Sequence, residues 1–507
     1  MAEMKHYTLG EYVKLLEEKG MLAEYNLQGK DGEEIKLLTY DSREVIQGTL
    51  FICKGAAFKA EYLKNSMNQG AVCYVSEKKY ELEKEVPYIL VKGIRDAMAV
   101  LANFFYNKPW EDLAVIGFGG TKGKSTSTYY MKAVVDDYLA AQDKPESAVI
   151  STIDIYDGKS KVESHITTPE AVELQMHLRN ALDCNIEYAE MEISSQALKY
   201  GRVDEMQFDV SVFLNISEDH ISPIEHPDFE DYFQSKMKMF EKSKIAVVNL
   251  DADYIDQILE ASKAAGEVVT FSTKNPEADY YAYNIHKEGK DIHFSVKCEA
   301  FDEEFVLTMP GFFNVENALG VVAASVKLGI PTEYIHSGLR RARSSGRMEF
   351  YHSKDHEVMA IVDYAHNKLS FEKLFSAMKE EFPDYGLVAI FGCPGKKSLL
   401  RRKYLGTIAG QYSKMVYLVA EDPGYEPVED ISKEIAQYVE AQKCPYKMIE
   451  DRGEAIKDAI ETAEGKTLLL VTGKGAETRQ KYGCEYLDCS SDVEYVQRYL
   501  AEYDSRH

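Results

Sequence analysis

An apolar run, Leu113-Ala114-Val115-Ile116-Gly117-Phe118, leads directly into Gly119-Gly120-Thr121-Lys122-Gly123-Lys124-Ser125-Thr126, and helical spacing follows from about Ser125 to Leu139. A strand, a glycine-rich turn and a helix in that order constrain the chain to an α/β domain that can cradle a phosphate. Glycines let backbone N–H groups converge on an anion, and the helix N-terminus adds positive potential. In such a loop the Lys124 ammonium meets the β/γ-phosphates, and the Ser125 hydroxyl can ligate Mg²⁺. Phe118 stands where the general pattern has its first glycine, so a chance glycine-rich turn is the alternative reading.

The flanking sequence supports the loop. Further strand patterns at 147–152, 186–193, 209–216 and 244–249 alternate with helical stretches, which predicts a mostly parallel sheet covered by helices. Short alternating strands at 280–310 predict an edge extension of that sheet. Before the loop, runs at 48–53 and 71–75 read as buried strands, an amphipathic helix opens the sequence, and Asn107-Lys108-Pro109 punctuates a boundary. After it, strand patterns at 358–363, 386–391, 414–419 and 467–471 predict a second doubly wound α/β unit. With 507 residues the chain accommodates about three domains. The expected divisions are 1–110, 111–345 and 346–507.

A net charge of −25 argues against nucleic-acid or anionic-membrane partners, which need extended basic surface. The opening segment lacks the apolar centre of a signal peptide, and no apolar run approaches the ~18 residues of a membrane span. The eight cysteines include no Cys-x-x-Cys pair. These features predict a cytoplasmic protein with reduced thiols and no membrane insertion.

A second group of residues follows two predicted strands: Glu192 in Met191-Glu192-Ile193-Ser194-Ser195-Gln196, and His220 after Leu214-Asn215-Ile216-Ser217-Glu218-Asp219. Carboxyl ends of parallel strands line the ligand crevice, so both face the edge that carries the loop. Oxygen and imidazole donors beside phosphates suit Mg²⁺ or Mn²⁺. Singly, Glu192 also reads as a helix cap, His220 as a loop histidine and Lys236 as a surface lysine.

Taken together, these segments resemble the Mur ligases of peptidoglycan synthesis, within the branch that adds the third peptide residue. The resemblance runs through Asp41-Ser42-Arg43, the loop, Thr167-Thr168-Pro169-Glu170, Glu192-Ile193-Ser194-Ser195 and Asn215-Ile216-Ser217. It continues through Asn314-Val315-Glu316-Asn317, Gly346-Arg347-Met348-Glu349, Asp363-Tyr364-Ala365-His366 and Gly473-Lys474-Gly475-Ala476-Glu477. It implies three domains that bind UDP, ATP and an amino acid in turn. It also implies phosphorylation of the γ-carboxylate of UDP-MurNAc-L-Ala-D-Glu by ATP, followed by attack of a diamino acid on the acyl phosphate. A monomer is expected.

By position, the resemblance gives Gly120, Thr121, Lys122, Gly123, Lys124, Ser125, Thr126, Asn317, Arg347 and Asp363 to the nucleotide. Ser125, Glu192, His220 and Lys236 would serve two Mg²⁺ ions, with CO₂ carried as a carbamate on Lys236. Lys124, Lys236, Glu192 and His220 would carry the chemistry. Ser42, Thr167, Thr168, Ser194 and Arg202 would hold the UDP-MurNAc-dipeptide. Departures at Phe58-Lys59-Ala60-Glu61, Lys122 and Ile166 leave the proposed chemistry untouched.

The choice of amino acid turns on Glu421-Asp422-Pro423-Gly424-Tyr425-Glu426. Diaminopimelate-adding relatives carry an arginine where Gly424 stands, and that arginine grips a second carboxylate. Acids at 421 and 422 suit a side-chain ammonium instead, which favours L-lysine and leaves ornithine and diaminopimelate as alternatives. Lys397 or Arg402 is expected to bind the α-carboxylate, unless this basic stretch is simply a solvated helix face. Glu477 is expected at the α-amino group. A folylpolyglutamate-synthetase-type ligase shares the loop, and a nucleotide-binding scaffold with a decayed site is a non-enzyme alternative.

Overall fold

The computed structural model describes residues 4–55, 58–164, 166–218, 221–222, 225–343, 346–396 and 400–507. Three large sheets follow one another along the chain. The first runs in the order Leu22–Asn26, Tyr88–Val91, Ala71–Ser76, Thr49–Ile52, Leu37–Thr39, parallel except for the first pair. The runs at 48–53 and 71–75 are its buried inner strands, as the unbroken apolar pattern requires. The opening helix, Leu9–Glu18, turns Leu9, Tyr12, Val13 and Leu16 inward.

The central sheet has eleven strands. Ala114–Gly119 lies between Phe208–Phe213 and Tyr188–Ile193, parallel to both. Ser243–Asn249, Glu267–Ser272 and Tyr280–Glu288 extend one side. Asp291–Lys297 and Asp302–Leu307 then add antiparallel, forming the expected edge extension. On the other side come Ala148–Ile150 and a hairpin, Asp154–Tyr156 with Lys161–Glu163, that the sequence pattern did not announce.

The last sheet, Glu349–His352, Val358–Asp363, Thr467–Thr472, Gly386–Phe391, Met415–Leu418, Tyr446–Met448, is parallel beyond its first pair. Alternate residues of Val358–Asp363 pack into separate apolar clusters, Met359 and Ile361 in one, Val358, Ala360 and Val362 in the other. Helices therefore cover both faces, which is the doubly wound arrangement expected.

The cluster around Ile116 and Phe118 is continuous with the one around Ile361 and Phe371. Polar contacts join the same two units. Arg347 Nη2 donates to Ser125 Oγ at 3.2 Å. Thr478 Oγ1 donates to Glu163 Oε2 at 2.9 Å, and Lys287 pairs with Glu381 at 3.1 Å. The last sheet thus sits with its strand ends against the glycine-rich loop. No helix among the described residues is long and apolar enough to cross a membrane.

Candidate active site

The loop leaves the strand at Gly119 and enters the helix Lys124–Ala140 through Gly123, whose φ is 85°. That left-handed backbone favours glycine. A Cβ at 123 would also lie 2.2 Å from Asn317 Oδ1. Gly123→Ala is therefore expected to raise the KM for ATP roughly tenfold or more. Nucleotide-dependent turnover measures this, and an unchanged KM would contradict the cradle.

The segment after Phe208–Phe213 clamps the loop. Thr121 N donates to Asn215 O at 3.0 Å and Lys122 N to Asn215 Oδ1 at 2.9 Å, while Asn215 Nδ2 donates to Lys122 O at 3.0 Å. Thr121 Oγ1 lies 2.9 Å from Tyr232 Oη and accepts from Ser217 N. Asn215 and Tyr232 were not singled out by sequence; both stand in segments whose motifs were legible only as runs.

Two lysines converge on one carbonyl. Gly120 O accepts from Lys124 Nζ at 3.1 Å and from Lys236 Nζ at 2.8 Å. Lys236 is 2% exposed, on the helix Phe229–Met237. It is no surface lysine. Glu192, 1% exposed, ends its strand beside Phe118 and accepts from Thr152 N at 2.8 Å.

A cavity of about 280 Å³ opens over the loop. Lys122, Lys124, Ser125 and Thr126 line its floor, with Thr121 and Gly123. Thr167, Glu192 and Asn317 form one wall, and Arg347 and Asp363 close it from the last sheet. Thr152, Asn215, Tyr364 and His366 also line it, and sequence reading had not given them roles. Burial pushes the Asp363 carboxyl above its ordinary value, opposed by the Arg347 charge. Asp363 also accepts from Met348 N at 2.9 Å and Ala365 N at 2.7 Å, which ties the Arg347 loop to its strand.

Thr168, Ser194 and Arg202 sit behind this wall. Thr168 Oγ1 donates to Glu192 O at 2.8 Å and accepts from Ser194 N at 3.0 Å. Ser194 Oγ caps the helix Ser195–Lys199 by accepting from Ala197 N. Arg202 pairs with Glu170 at 2.9 Å and donates to Thr168 O. Ser42 lies on the turn where Asp41 accepts from Arg43 N, outside the loop cavity. His220 and Lys397 lie outside the described residues.

A second cavity of about 270 Å³ adjoins the first, and Tyr364 and His366 line both. Glu421, Asp422 and Glu477 line it, with Arg401, Lys474 and Lys481. Burial lifts the Glu421 carboxyl to about 7, against the pull of Arg452 and Arg401. Burial also works against the Lys474 charge, but Glu477 and Asp422 outweigh it and hold the ammonium above its ordinary range.

The expectation for Arg402 is corrected. Its side chain is 2% exposed and paired with Glu426 at 2.8 Å and with Glu434 at 2.5 Å. The guanidinium is occupied inside the fold, and its neighbour Arg401 faces the cavity. One residue along a helix rotates a side chain by about 100°.

Two family models match: the Mur ligase middle domain over residues 119–325 and the Mur ligase glutamate ligase domain over residues 346–475. The chain is 38% identical over 456 residues to the UDP-N-acetylmuramoyl-L-alanyl-D-glutamate–L-lysine ligase of Enterococcus faecalis, covering 88% of each chain. It is 37% identical over 482 residues to the protein of the same name from Streptococcus pyogenes serotype M2, covering 94% of each. Among solved structures, a UDP-N-acetylmuramoyl-L-alanyl-D-glutamate–2,6-diaminopimelate ligase superposes with a TM-score of 0.66 at 22% identity, covering 99% of this chain and all of that one. The phosphate loop, the wall of Glu192 and the closing Arg347 fall inside the matched segments, and the chain belongs to the Mur ligase family.

Proposed function

We propose that this chain joins L-lysine to the D-glutamyl γ-carboxylate of UDP-MurNAc-L-Ala-D-Glu at the expense of ATP. The observation that carries the reading is the continuity of the two cavities. A phosphate loop and an acid-lined pocket share Tyr364 and His366, so an acyl phosphate formed in one can meet an amine held in the other. The domain roles follow: UDP at residues 1–110, ATP at 111–345 and the amino acid at 346–507.

The loop backbone and Lys124 bind the polyphosphate and fix the γ-phosphate in line with the carboxylate. Positioning and fixed charge supply most of the rate in such transfers. Thr167 lies at the cavity wall to meet the dipeptide, while Thr168, Ser194 and Arg202 hold that wall rigid. Asn317 and Arg347 enclose the nucleotide from both sides. Glu477 and Tyr364 hold the incoming α-amine, Arg401 its carboxylate, and Glu421 and Asp422 the side-chain ammonium.

The donor set fits Mg²⁺: the buried Glu192 carboxylate and the Ser125 hydroxyl line the same cavity, all oxygen chemistry. Bound there, Mg²⁺ supplies charge neutralisation on the phosphoryl oxygens. The Lys236 amine lies where a carbamate would add a second carboxylate at the loop. CO₂ adds only to the neutral form of such an amine.

Amino-acid-dependent ADP release in the presence of the dipeptide substrate tests the proposal. L-Lysine is expected to support it far better than diaminopimelate or ornithine; faster turnover with diaminopimelate would overturn the lysine assignment. A pH dependence also follows. Glu421 must be ionised to hold an ammonium, and its free-enzyme value is about 7. The KM for lysine is expected to fall as pH rises from about 6 to 8. Glu421→Gln should raise that KM and flatten its pH profile; an unaltered slope would contradict the role.

A further inference from the structure

The antiparallel edge of the central sheet carries a side-chain cluster that the ligase reading leaves unused. His286 on Tyr280–Glu288, His293 on Asp291–Lys297 and Glu304 on Asp302–Leu307 bring one ligand atom each within 4.8 Å of one another. We propose that these three side chains bind a divalent transition-metal ion of the Zn²⁺ type, which clips the three strands together. The proposal stands whichever amino acid the enzyme adds.

The strands are shaped to bring the two imidazoles together. Tyr281 pairs with Lys297 and Tyr283 with Ser295, so strict alternation would set residue 285 opposite His293. A bulge intervenes, and His286 stands opposite His293 instead. Asn284, with a left-handed φ of 52°, lies in that bulge, a conformation asparagine tolerates. Ile285 packs against the core, and His286 is exposed. Bulges re-aim side chains in this way next to functional sites. A carbonyl oxygen only accepts, so the 2.9 Å contact between His286 Nδ1 and Asn284 O puts the proton of the neutral ring on Nδ1. The lone pair is left on Nε2, as a metal ligand requires.

Glu304 is the register partner of Ser295, one diagonal step from His293. Its Oε1 lies 3.0 Å from His293 Nδ1. Ligands on a tetrahedral ion with bonds of about 2.0–2.1 Å stand about 3.3 Å apart, so this pair is already at ligand spacing. The two imidazole rings are 5.5 Å apart and tilted by 30°. A small rotation of the exposed His286 side chain closes the remaining gap. Two imidazoles and a carboxylate suit Zn²⁺, whereas Mg²⁺ selects oxygen.

The surrounding charge favours a cation. Glu288 Oε2 lies 3.7 Å from His293 Nε2, and Asp291 is the register partner of Glu288. Lys287 is drawn away to Glu381 at 3.1 Å, over the Phe382 ring. Lys297 sits up the ladder with Asp302 as its register partner, and Lys290 lies on the turn beyond Glu288 and Asp291. Glu303 is taken by His336 at 2.8 Å. An ion at this edge also fixes the strand from which Lys287 reaches the last sheet unit.

Calorimetric titration of the full-length protein with Zn²⁺, and absorbance titration with Co²⁺, test this in saturating Mg²⁺ and ADP to occupy the phosphate loop. One saturable equivalent is expected, with a rise in Tm. His286→Gln and His293→Gln should each weaken binding about a hundredfold or more, since loss of an outer partner alone costs tenfold to hundredfold. Glu304→Gln should also weaken it. The Co²⁺ spectrum should lack a thiolate charge-transfer band, which separates this site from Cys484 and Cys489. Metal-free variants should keep the wild-type Tm and Mg²⁺-dependent ligation. Equal Zn²⁺ affinity in the wild type and both histidine variants, a thiolate band, or no saturable binding would overturn the proposal.

Discussion

Replacing Lys236 with alanine is expected to lower ligation by roughly a thousandfold or more while the protein stays folded. The Lys236 amine lies at the active-site end of the helix Phe229–Met237, 2.8 Å from the Gly120 carbonyl and pointing toward the loop rather than into an apolar cluster. Removing it deletes the carboxylate that a carbamate would bring and leaves the loop backbone in place. Short carboxylic acids such as formate or acetate should restore part of the activity, because they can supply the missing oxygens. ADP release and a thermal melt measured on the same preparation separate chemistry from folding. Wild-type turnover in the variant would remove the carbamate from the account.

The second large effect is on stability. Glu190 lies two residues before Glu192 on the strand Tyr188–Ile193, so both acids point to the same face. Glu192 reaches the cavity, whereas Glu190 is fully buried near Lys132 and Asp136 of the helix Lys124–Ala140. Neither carboxylate oxygen makes a well-formed hydrogen bond among the described residues, and the weak pull of the Ser147 side chain and the backbone is outweighed by burial. Lys132 is held by Asp136 and Glu146, at 2.9 and 3.1 Å.

Burial raises the Glu190 carboxyl to about 8 from an ordinary 4.5. The folded state keeps the proton that the unfolded chain gives up above 4.5, so this residue's contribution to stability falls as pH rises toward 8 and is then constant. Glu190→Gln carries no such proton. It is expected to stabilise the protein by about 3 kcal/mol at pH 7, with little gain near pH 5 and the largest above pH 8. Denaturant unfolding at the two ends of this range checks it. A gain that does not grow with pH would show that Glu190 is ionised in the fold.

Much of this site is legible along the sequence because its parts are local. The strand, loop and helix around Gly119–Thr126 announce themselves, and Glu192 follows from its place at a strand end. What depends on depth or rotation is not legible. Two adjacent arginines, Arg401 and Arg402, read alike, and only the phase of the helix Leu400–Tyr412 decides which one faces the cavity. The hairpin Asp154–Glu163 uses strands of three residues, too short to show a period, yet its Glu163 meets Thr478 more than three hundred positions away. Tyr364 and His366 stand in a recognisable run, but their position between two cavities emerges only when the last sheet is laid against the central one.

The central claim is that the γ-carboxylate is activated as an acyl phosphate on the Lys124 side and aminated from the acid-lined side. Dipeptide substrate labelled with ¹⁸O in the D-glutamyl γ-carboxylate, turned over with ATP and L-lysine, tests both halves at once by mass spectrometry. The account predicts one labelled oxygen in each released phosphate, together with a tripeptide product heavier by a lysyl residue. Unlabelled phosphate, or phosphate released without amide formation when lysine is present, would contradict it.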